Sequence, residues 1–491
     1  MIFRIRVKGF KNLRDTEVYF GPFTCIAGPN GIGKSNLFDA IRFLSCLANK
    51  DNTLVEAAFQ IRDEKNRKKS AADIRNLFFH DGNEYSDTIE FSVDMIVPVS
   101  GTDHLGQIAT ATTTMLQYNL IIGFRNGSVI SQSPLFIIKE ELYPLNKTDL
   151  KITLKKLDVS NEWIQSALLG KRQNAKPFIS TDEKEGTIII RGDQVQGNKK
   201  TLKLDSMPRT VISTANAVEN PTMLLAKKEF ENWRILQLEP SALRSPDDLI
   251  FTEIPHISSN GEHLPATIFR MLNDPDSNID ITAQLANKLS ELLDDVYRIS
   301  IDKDEKRDIL TLIIQNKNGT SFPAKSLSDG TLRFIALAVI ELDPLMQGLL
   351  CMEEPENGIH PERIPVIINL LENIAFDFKH AINKDNPLRQ VIVNTHSPLV
   401  VSEVPDDSLL FADFEIRKGT KSVIFRPLKD TWRTRLTGYE SPIVKGKILG
   451  YLNPYNTNKD NPSKKTKRVI DRPEFKQLTQ LAKKQSYYPH K

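Results

Sequence analysis

Eight consecutive residues, Gly28-Pro29-Asn30-Gly31-Ile32-Gly33-Lys34-Ser35, follow the order G-x-x-x-x-G-K-[ST]. Glycines at these positions let successive backbone N–H groups turn inward on an anion, and a helix starting there adds partial positive charge at the same point. The pattern predicts a cradle for nucleotide phosphates, formed by Asn30, Gly31, Gly33, Lys34, Ser35 and Asn36. Lys34 is expected to reach the β and γ phosphates and Ser35 to hold Mg²⁺ through its hydroxyl. A second set of residues suits the same chemistry. Leu349-Leu350-Cys351-Met352-Glu353-Glu354 is an apolar run ending in two carboxylates. One can serve the metal, Glu353, and the other, Glu354, can polarise a water for in-line displacement at the γ phosphate. Val391-Ile392-Val393-Asn394-Thr395-His396-Ser397-Pro398 repeats the plan, an apolar strand with a polar tip that carries one histidine able to touch the same phosphate. Finally, Ser326 to Thr331 precedes an apolar helical segment, Leu332 to Ile340. Ser328 and Gly330 at such a helix start either bind an anion or simply cap the helix, and both uses draw on the same N–H groups.

These groups must be placed by strands and helices, and the chain offers them. Phe23 to Ala27 is an apolar strand before the glycine loop, and Asn36 to Ala48 is helical, with Leu37, Ile41, Leu44 and Ala48 on one buried face. Phe3 to Val7 and Thr16 to Phe20 alternate as paired strands, and Asp87 to Val93 adds another. Between about 100 and 215 the pattern loosens into Thr-, Asn-, Lys- and Gly-rich stretches around short strands such as Thr187 to Ile190. Helical texture returns in Met223 to Leu236 and Ile281 to Val296. Ile309 to Ile314, Leu349 to Met352 and Gln390 to Asn394 are near-continuous apolar runs, as strands of a parallel sheet covered on both faces would be. The expectation is an α/β fold: a split P-loop head with a mixed sheet flanked by helices, an inserted α+β region and a basic C-terminal tail. The expected boundaries are 1–95 and 301–415 for the two halves of the head, 96–300 for the insertion and 416–491 for the extension.

At 491 residues the chain exceeds what one core normally organises, and its 40% hydrophobic and 26% charged content is that of globular proteins. No apolar run reaches bilayer-crossing length, and Met1 to Val7 alternates like a strand rather than a secretory leader, so a cytoplasmic protein without membrane partners is expected. Cys25, Cys46 and Cys351 lack C-x-x-C spacing and are expected as buried reduced thiols. A net charge of +3 does not by itself imply nucleic acid. The charge is concentrated in a tail with Lys464-Lys465-Thr466-Lys467-Arg468, where binding to nucleic-acid phosphates, with Tyr487 and Tyr488 stacking on bases, competes with a solvated tail. The run from Arg62 to Lys69 is expected as a solvated loop face.

The P-loop, Leu327-Ser328-Asp329-Gly330, Glu353-Glu354, Pro355-Glu356-Asn357-Gly358-Ile359-His360-Pro361 and His396, in this order, resemble the ATP-binding-cassette (ABC) ATPases of the RecF and chromosome-maintenance (SMC) kind. The overcoming-lysogenisation-defect (OLD) branch is more similar still. The resemblance covers roughly 1–95 and 300–415. It implies ATP and Mg²⁺ as cofactors and two heads sandwiching two ATP molecules, in a homodimer or higher oligomer. Ser328 and Gly330 would then be contacts to the partner's γ phosphate, the segment after Glu354 would run along the seam, and His396 would be the switch histidine. Lys34, Glu354 and His396 would be the catalytic set. Asp329 stands where the family has glycine and Glu353 where many relatives have Asp, which implies slow or conditional turnover; Gln60 is the candidate for the family's Q-loop glutamine.

Softer echoes, Trp233 through Leu238-Glu239-Pro240 with Leu243-Arg244, and Gly261-Glu262-His263-Leu264, look like defence-type relatives. About 290 residues separate P-loop and signature, unlike transporter ATPases. The acids after His396 include only the pair Asp406-Asp407 and scattered others, so no nuclease site is expected in this chain. Such a head resembles the ATPase subunit of Septu-type antiviral systems, including retron-attached ones. That resemblance implies a separate HNH-type nuclease as partner, with DNA or RNA, such as a retron nucleic acid, as a further one. The alternative is a RecF-like ATP-dependent DNA clamp in recombination or repair.

Overall fold

The computed structural model describes residues 1–61, 71–125, 133–145, 157–170, 176–193, 199–251, 254–275, 280–293, 295–417, 420–436, 442–443 and 451. Residues Met1–Val444 form one compact unit. The charge run 62–69 and the basic tail with its tyrosines lie outside the described residues.

Two large sheets share one core with the helix that follows the glycine loop. The first has eight antiparallel strands in the order β11-β10-β9-β8-β7-β4-β1-β2. They are β1 (Ile2–Phe10), β2 (Leu13–Tyr19), β4 (Thr88–Ile96), β7 (Met115–Phe124), β8 (Leu135–Pro144), β9 (Ile179–Asp182), β10 (Thr187–Arg191) and β11 (Lys199–Lys203). The inner strands bury every second side chain and leave the alternate ones half exposed, as β4 does with Ile89, Phe91, Val93 and Met95. The second sheet has the order β12-β17-β18-β3-β19-β20. Its members are β3 (Phe23–Ala27), β12 (Arg234–Leu236), β17 (Gly348–Glu353), β18 (Arg389–Thr395), β19 (Leu409–Arg417) and β20 (Thr420–Pro427). All its pairs are parallel except β19 with β20. The sheet is therefore mixed. β3 and β18 are buried along their whole length, with the apolar runs 25–27 and 391–393 at their hearts and Thr24, Arg389, Gln390, Asn394 and Thr395 buried beside them.

The helix Lys34–Ala48 lies between the sheets and is buried on more than the one face its three- and four-residue spacing predicts. Phe43 packs its ring on Phe10 of β1 and Phe91 of β4, at centroid distances of 6.1 and 6.0 Å. Leu37, Ile41 and Leu44 belong to the same core as Leu349, Cys351 and Ile392 of the second sheet. The helix that opens at the phosphate loop is thereby fixed from two sides.

The stretch 96–300 does not stand apart from the head. β7 to β11 continue the first sheet, and β12 pairs in parallel with β17 in the second. Leu116, Tyr118, Leu120 and Ile122 of β7 and Leu135, Ile137 and Leu142 of β8 are buried in the same core as the phosphate-loop helix. Two helical readings were too long. Pro221–Glu231 ends before β12, so Leu236 is in a strand, and Ile281–Ser290 ends before Val296, which opens β14 (Val296–Asp304). A third expectation is corrected. β15 (Ile309–Asn316) lies in a small antiparallel sheet with β13 (Asp247–Asp248), β14 and β16 (Ser321–Pro323). Its burial alternates because Leu310, Leu312 and Ile314 face inward while Thr311 and Ile313 face partly outward. A remaining pair, β5 (Ser100–Thr102) and β6 (Ile108–Thr110), forms a hairpin. Cys25 and Cys351 are buried, Cys46 is half-buried, and all three are free thiols. No helix among the described residues is long and apolar enough to cross a membrane.

Candidate active site

Parallel pairing brings the polar tips together. Glu353 is opposite Asn394, Asn394 opposite Ile26, and Thr395 opposite Ala27. The next residues along the chain, Glu354, His396 and Gly28, therefore emerge side by side at the carboxyl edge of β17, β18 and β3, where open α/β sheets bind ligands.

Three glycines shape the loop. Gly28, Gly31 and Gly33 have φ of 153°, 74° and 103°. At Gly33 a Cβ would lie 1.9 Å from the Asn12 amide nitrogen, so only glycine fits. Asn12, in the turn between β1 and β2, donates to the Ile32 carbonyl at 3.1 Å and accepts from the Asn36 amide at 2.7 Å. Asn36, expected to touch nucleotide, thus braces the loop through Asn12. Asn30 and Gly31 are exposed at the crest, and Ser35 is half-buried in the first helical turn. Lys34 is 7% exposed and donates to the Gly28 and Pro29 carbonyls at 2.7 and 3.0 Å. Burial pushes its ammonium pKa below the usual lysine range, opposed by the negative charges of Glu354, Glu353 and Glu356. The lysine is turned onto the loop carbonyls while it feels the charge of the three carboxylates.

Glu354 has φ 48°, a left-handed conformation unusual for a non-glycine residue. Its N–H donates to the Asn394 carbonyl at 2.9 Å, which fixes the turn to the neighbouring strand. Oε1 meets His396 Nδ1 and Oε2 accepts from the Asn357 amide at 3.2 Å. The side chains of His396 and Glu354 are 42% and 25% exposed, so the pair is open to an incoming ligand. Glu353 is exposed and accepts only a long 3.4 Å contact from Asn394 Nδ2. Glu356 was read in the sequence only as part of a motif. It is 9% exposed, its Oε1 accepts from the Thr395 hydroxyl, and its Oε2 is buried without a hydrogen-bond partner. Burial raises its carboxyl pKa above the ordinary value, with Thr395 opposing the shift and the nearby Glu354 charge adding to it.

The signature segment does cap its helix. Ser328 Oγ accepts from the Thr331 N–H at 3.2 Å, opening Asp329–Leu342. A Cβ on Gly330 would sit 2.5 Å from the Gly358 carbonyl, so the helix start is pressed onto the segment that follows Glu354. Arg333 strengthens this contact by donating to the Asn357 carbonyl at 2.6 Å. Arg244, from the defence-type echo, bridges the Leu327 carbonyl at 2.9 Å and the Asp329 carboxylate. Nothing in the residue types of these segments announced that they would meet. Gln60 caps the helix Leu54–Phe59, and its amide donates to Asn52 at 2.8 Å. Asp407 receives the Trp432 backbone N–H at 3.1 Å, a structural use.

The half-buried Ser35 hydroxyl, the exposed Glu353 carboxylate and the unpartnered Glu356 oxygen are hard oxygen groups of the kind that suits Mg²⁺, which takes few protein oxygens and keeps waters and phosphates as its other ligands. Among the described residues no group of three or more His, Cys, Asp or Glu forms a ready cage, so the ion would be held jointly with a nucleotide. Fold and site together define a P-loop ATPase head of split α/β construction. The family described as "AAA domain, putative AbiEii toxin, Type IV TA system" matches residues 23–99 and 209–402, more than half of the chain, and the chain belongs to it. The gap in that match falls where β7 to β11 extend the first sheet. Curated relatives are the DNA replication and repair proteins RecF of Parabacteroides distasonis, 43% identical over 51 residues, and of Phocaeicola vulgatus, 40% over 52. The matched segments cover 10% of this chain and 14% of each relative. Solved structures with similarity include the SMC head domain from Thermotoga maritima (12% identity, 87% of this chain, 99% of that one, TM-score 0.36). Another is an SMC head bound to the C-winged helix domain of ScpA (15%, 87% and 98%, 0.44).

Proposed function

We propose that this chain binds and hydrolyses ATP, pairs with a second copy around the nucleotide, and controls a separate HNH-type nuclease in antiphage defence. The observation that carries the ATPase part is the meeting of Lys34, Glu354 and His396 at one sheet edge. Lys34 would exchange the Gly28 and Pro29 carbonyls for phosphate oxygens. Glu354, held by His396 and Asn357, would orient and deprotonate the attacking water, and His396 would lie against the γ phosphate. Ser35 and Glu353 would hold Mg²⁺, which neutralises phosphate charge when bound. Ser328 and Gly330 would complete the site of the second copy. The family's description, which names a toxin system, and the Trp233–Arg244 echo favour the defence role.

The second reading, an ATP-held DNA clamp in recombination or repair, is favoured by the local identity to RecF. Purification of the chain from its native operon separates them. Recovery of a nuclease whose activity changes with ATP supports the first. ATP-dependent retention on DNA with no nuclease supports the second, and neither outcome in a protein that binds ATP would sink both.

A further inference from the structure

The acid at 356 has a feature that the roles given to Glu353 and Glu354 do not explain. Its carboxyl is buried, yet one oxygen lacks a partner. Oε1 is occupied by Thr395, whose own hydroxyl oxygen also accepts the Ser397 N–H at 2.9 Å, so the group is locked to the turn that presents His396. Oε2 remains. The charged groups acting on it are Glu354 and His396, and Glu356 in turn acts on Lys34 and on Cys25 of β3. Its bond to Thr395 places it beside His396, next to the proposed phosphate site. Of these neighbours Glu354 repels it, His396 is engaged by Glu354, and Lys34 is turned onto the loop carbonyls. A buried acceptor needs a donor. Among the described residues none donates to this oxygen, and a donor that arrives with the ligand would satisfy it.

We propose that Glu356 is a positioning residue for the nucleotide's magnesium, its Oε2 accepting a hydrogen bond from a metal-bound water. The inference rests on the ATP–Mg²⁺ reading above and adds a third carboxylate to it. Mg²⁺ retains several waters, and these waters can only donate, so an acceptor with a fixed direction and no competing partner matches them. Thr395 supplies the fixed direction.

The test is titration of a fluorescent ATP analogue into the full-length protein, without metal and across a Mg²⁺ series, for the wild type and Glu356→Gln. Glutamine keeps the shape and can still accept from Thr395, but it turns an N–H₂ donor toward the water. The expected result is unchanged metal-free affinity with the half-saturating Mg²⁺ concentration raised ten- to a hundredfold, in line with losses of outer-shell partners. Thermal unfolding without ligand should be unchanged or shifted upward, because the substitution removes a buried carboxylate oxygen that has no partner. An unchanged Mg²⁺ requirement overturns the proposal, and so does a lower melting temperature accompanied by weaker metal-free binding, which would assign Glu356 to packing. A wild type that binds nucleotide without any Mg²⁺ dependence would instead overturn the underlying site reading along with it.

Discussion

Replacing Glu354 by Gln removes a charge and a proton acceptor while keeping nearly every contact the structure gives the side chain. The amide oxygen can still accept from Asn357, now at 3.2 Å, and the backbone turn held by the Asn394 carbonyl is untouched. Lys34 keeps its place on the P-loop, so ground-state binding of ATP should survive. General-base catalysis is worth about 10²–10⁴-fold, which at 1.36 kcal/mol per tenfold is about 2.7–5.5 kcal/mol of barrier. Turnover in Glu354→Gln should fall by that factor, with ATP affinity within a fewfold and ATP-dependent pairing prolonged. Lys34→Ala is the comparison: losing a charge-assisted contact should weaken ATP binding itself by about 1.5–3 kcal/mol. Phosphate release, equilibrium ATP titration and light scattering with and without ATP measure the three quantities. Turnover within threefold of wild type, or a loss of binding as large as that of Lys34→Ala, would refute the assignment of Glu354 as the group that activates water.

Gly33→Ala should cost about 1–3 kcal/mol of stability and impair ATP binding, because φ of 103° is strained for alanine and the new methyl strikes Asn12; a melting temperature equal to wild type would contradict this. Gly330→Ala places a methyl against the Gly358 carbonyl, which cannot yield like a flexible side chain. ATP binding by the single head should persist while ATP-dependent pairing and turnover drop, and sedimentation with ATP checks it. Buried Glu140 accepts from the Val211 and Ile212 N–H groups at 2.7 and 2.9 Å and from the Tyr118 hydroxyl at 3.1 Å, and burial raises its pKa to about 7. The folded state then holds a proton that the unfolded chain releases near pH 4.5, so this group's contribution to stability declines as pH rises from about 4.5 to 7, by roughly 3 kcal/mol. Glu140→Gln should flatten that slope in thermal unfolding; an equal slope in both proteins counts against it.

The parts of the site legible in the sequence were those whose geometry is local. Six residues from Gly28 to Gly33 set a loop by their own φ preferences, and an apolar strand ending in carboxylates can only present them at its tip. Glu354 and His396 were read on separate strands, and their meeting follows from adjacent parallel registers. Other features depend on segments far apart in the chain. Asn12 braces the P-loop from a turn with no motif, and Asn36 is drawn to it. Glu356 looks like one more surface acid until Thr395, 39 residues on, captures one oxygen and the fold closes over the other. The stretch from about 100 to 215 reads as an insertion because its Thr-, Asn-, Lys- and Gly-rich segments loosen the pattern, yet the pairing of β7 with β8 and of β10 with β11 makes its strands a continuation of the first sheet.

The helix start at Ser328 to Gly330 and the segment that follows Glu354 are mechanically joined, which bears on how two heads would act on the proposed reading. Gly330 is pressed to Gly358, Arg333 holds the Asn357 carbonyl, and the Asn357 amide holds Glu354. Glu354 sits in a left-handed conformation that costs about 1–2 kcal/mol, so it keeps its position only while its neighbours over-determine it. On the two-head reading, the signature helix of each copy touches the nucleotide of the other. Engagement of that helix start would then be felt at the same copy's own Glu354 through the Asn357 link. Coupling of this kind is reciprocal in binding free energy: nucleotide that tightens one seam must also favour occupation of the second site. Arg244 extends the chain of contacts outward by neutralising Asp329, the acid that stands beside the signature serine and would otherwise repel phosphate. On the same two-head reading, a partner that displaced Arg244 would alter pairing and hydrolysis without approaching either carboxylate.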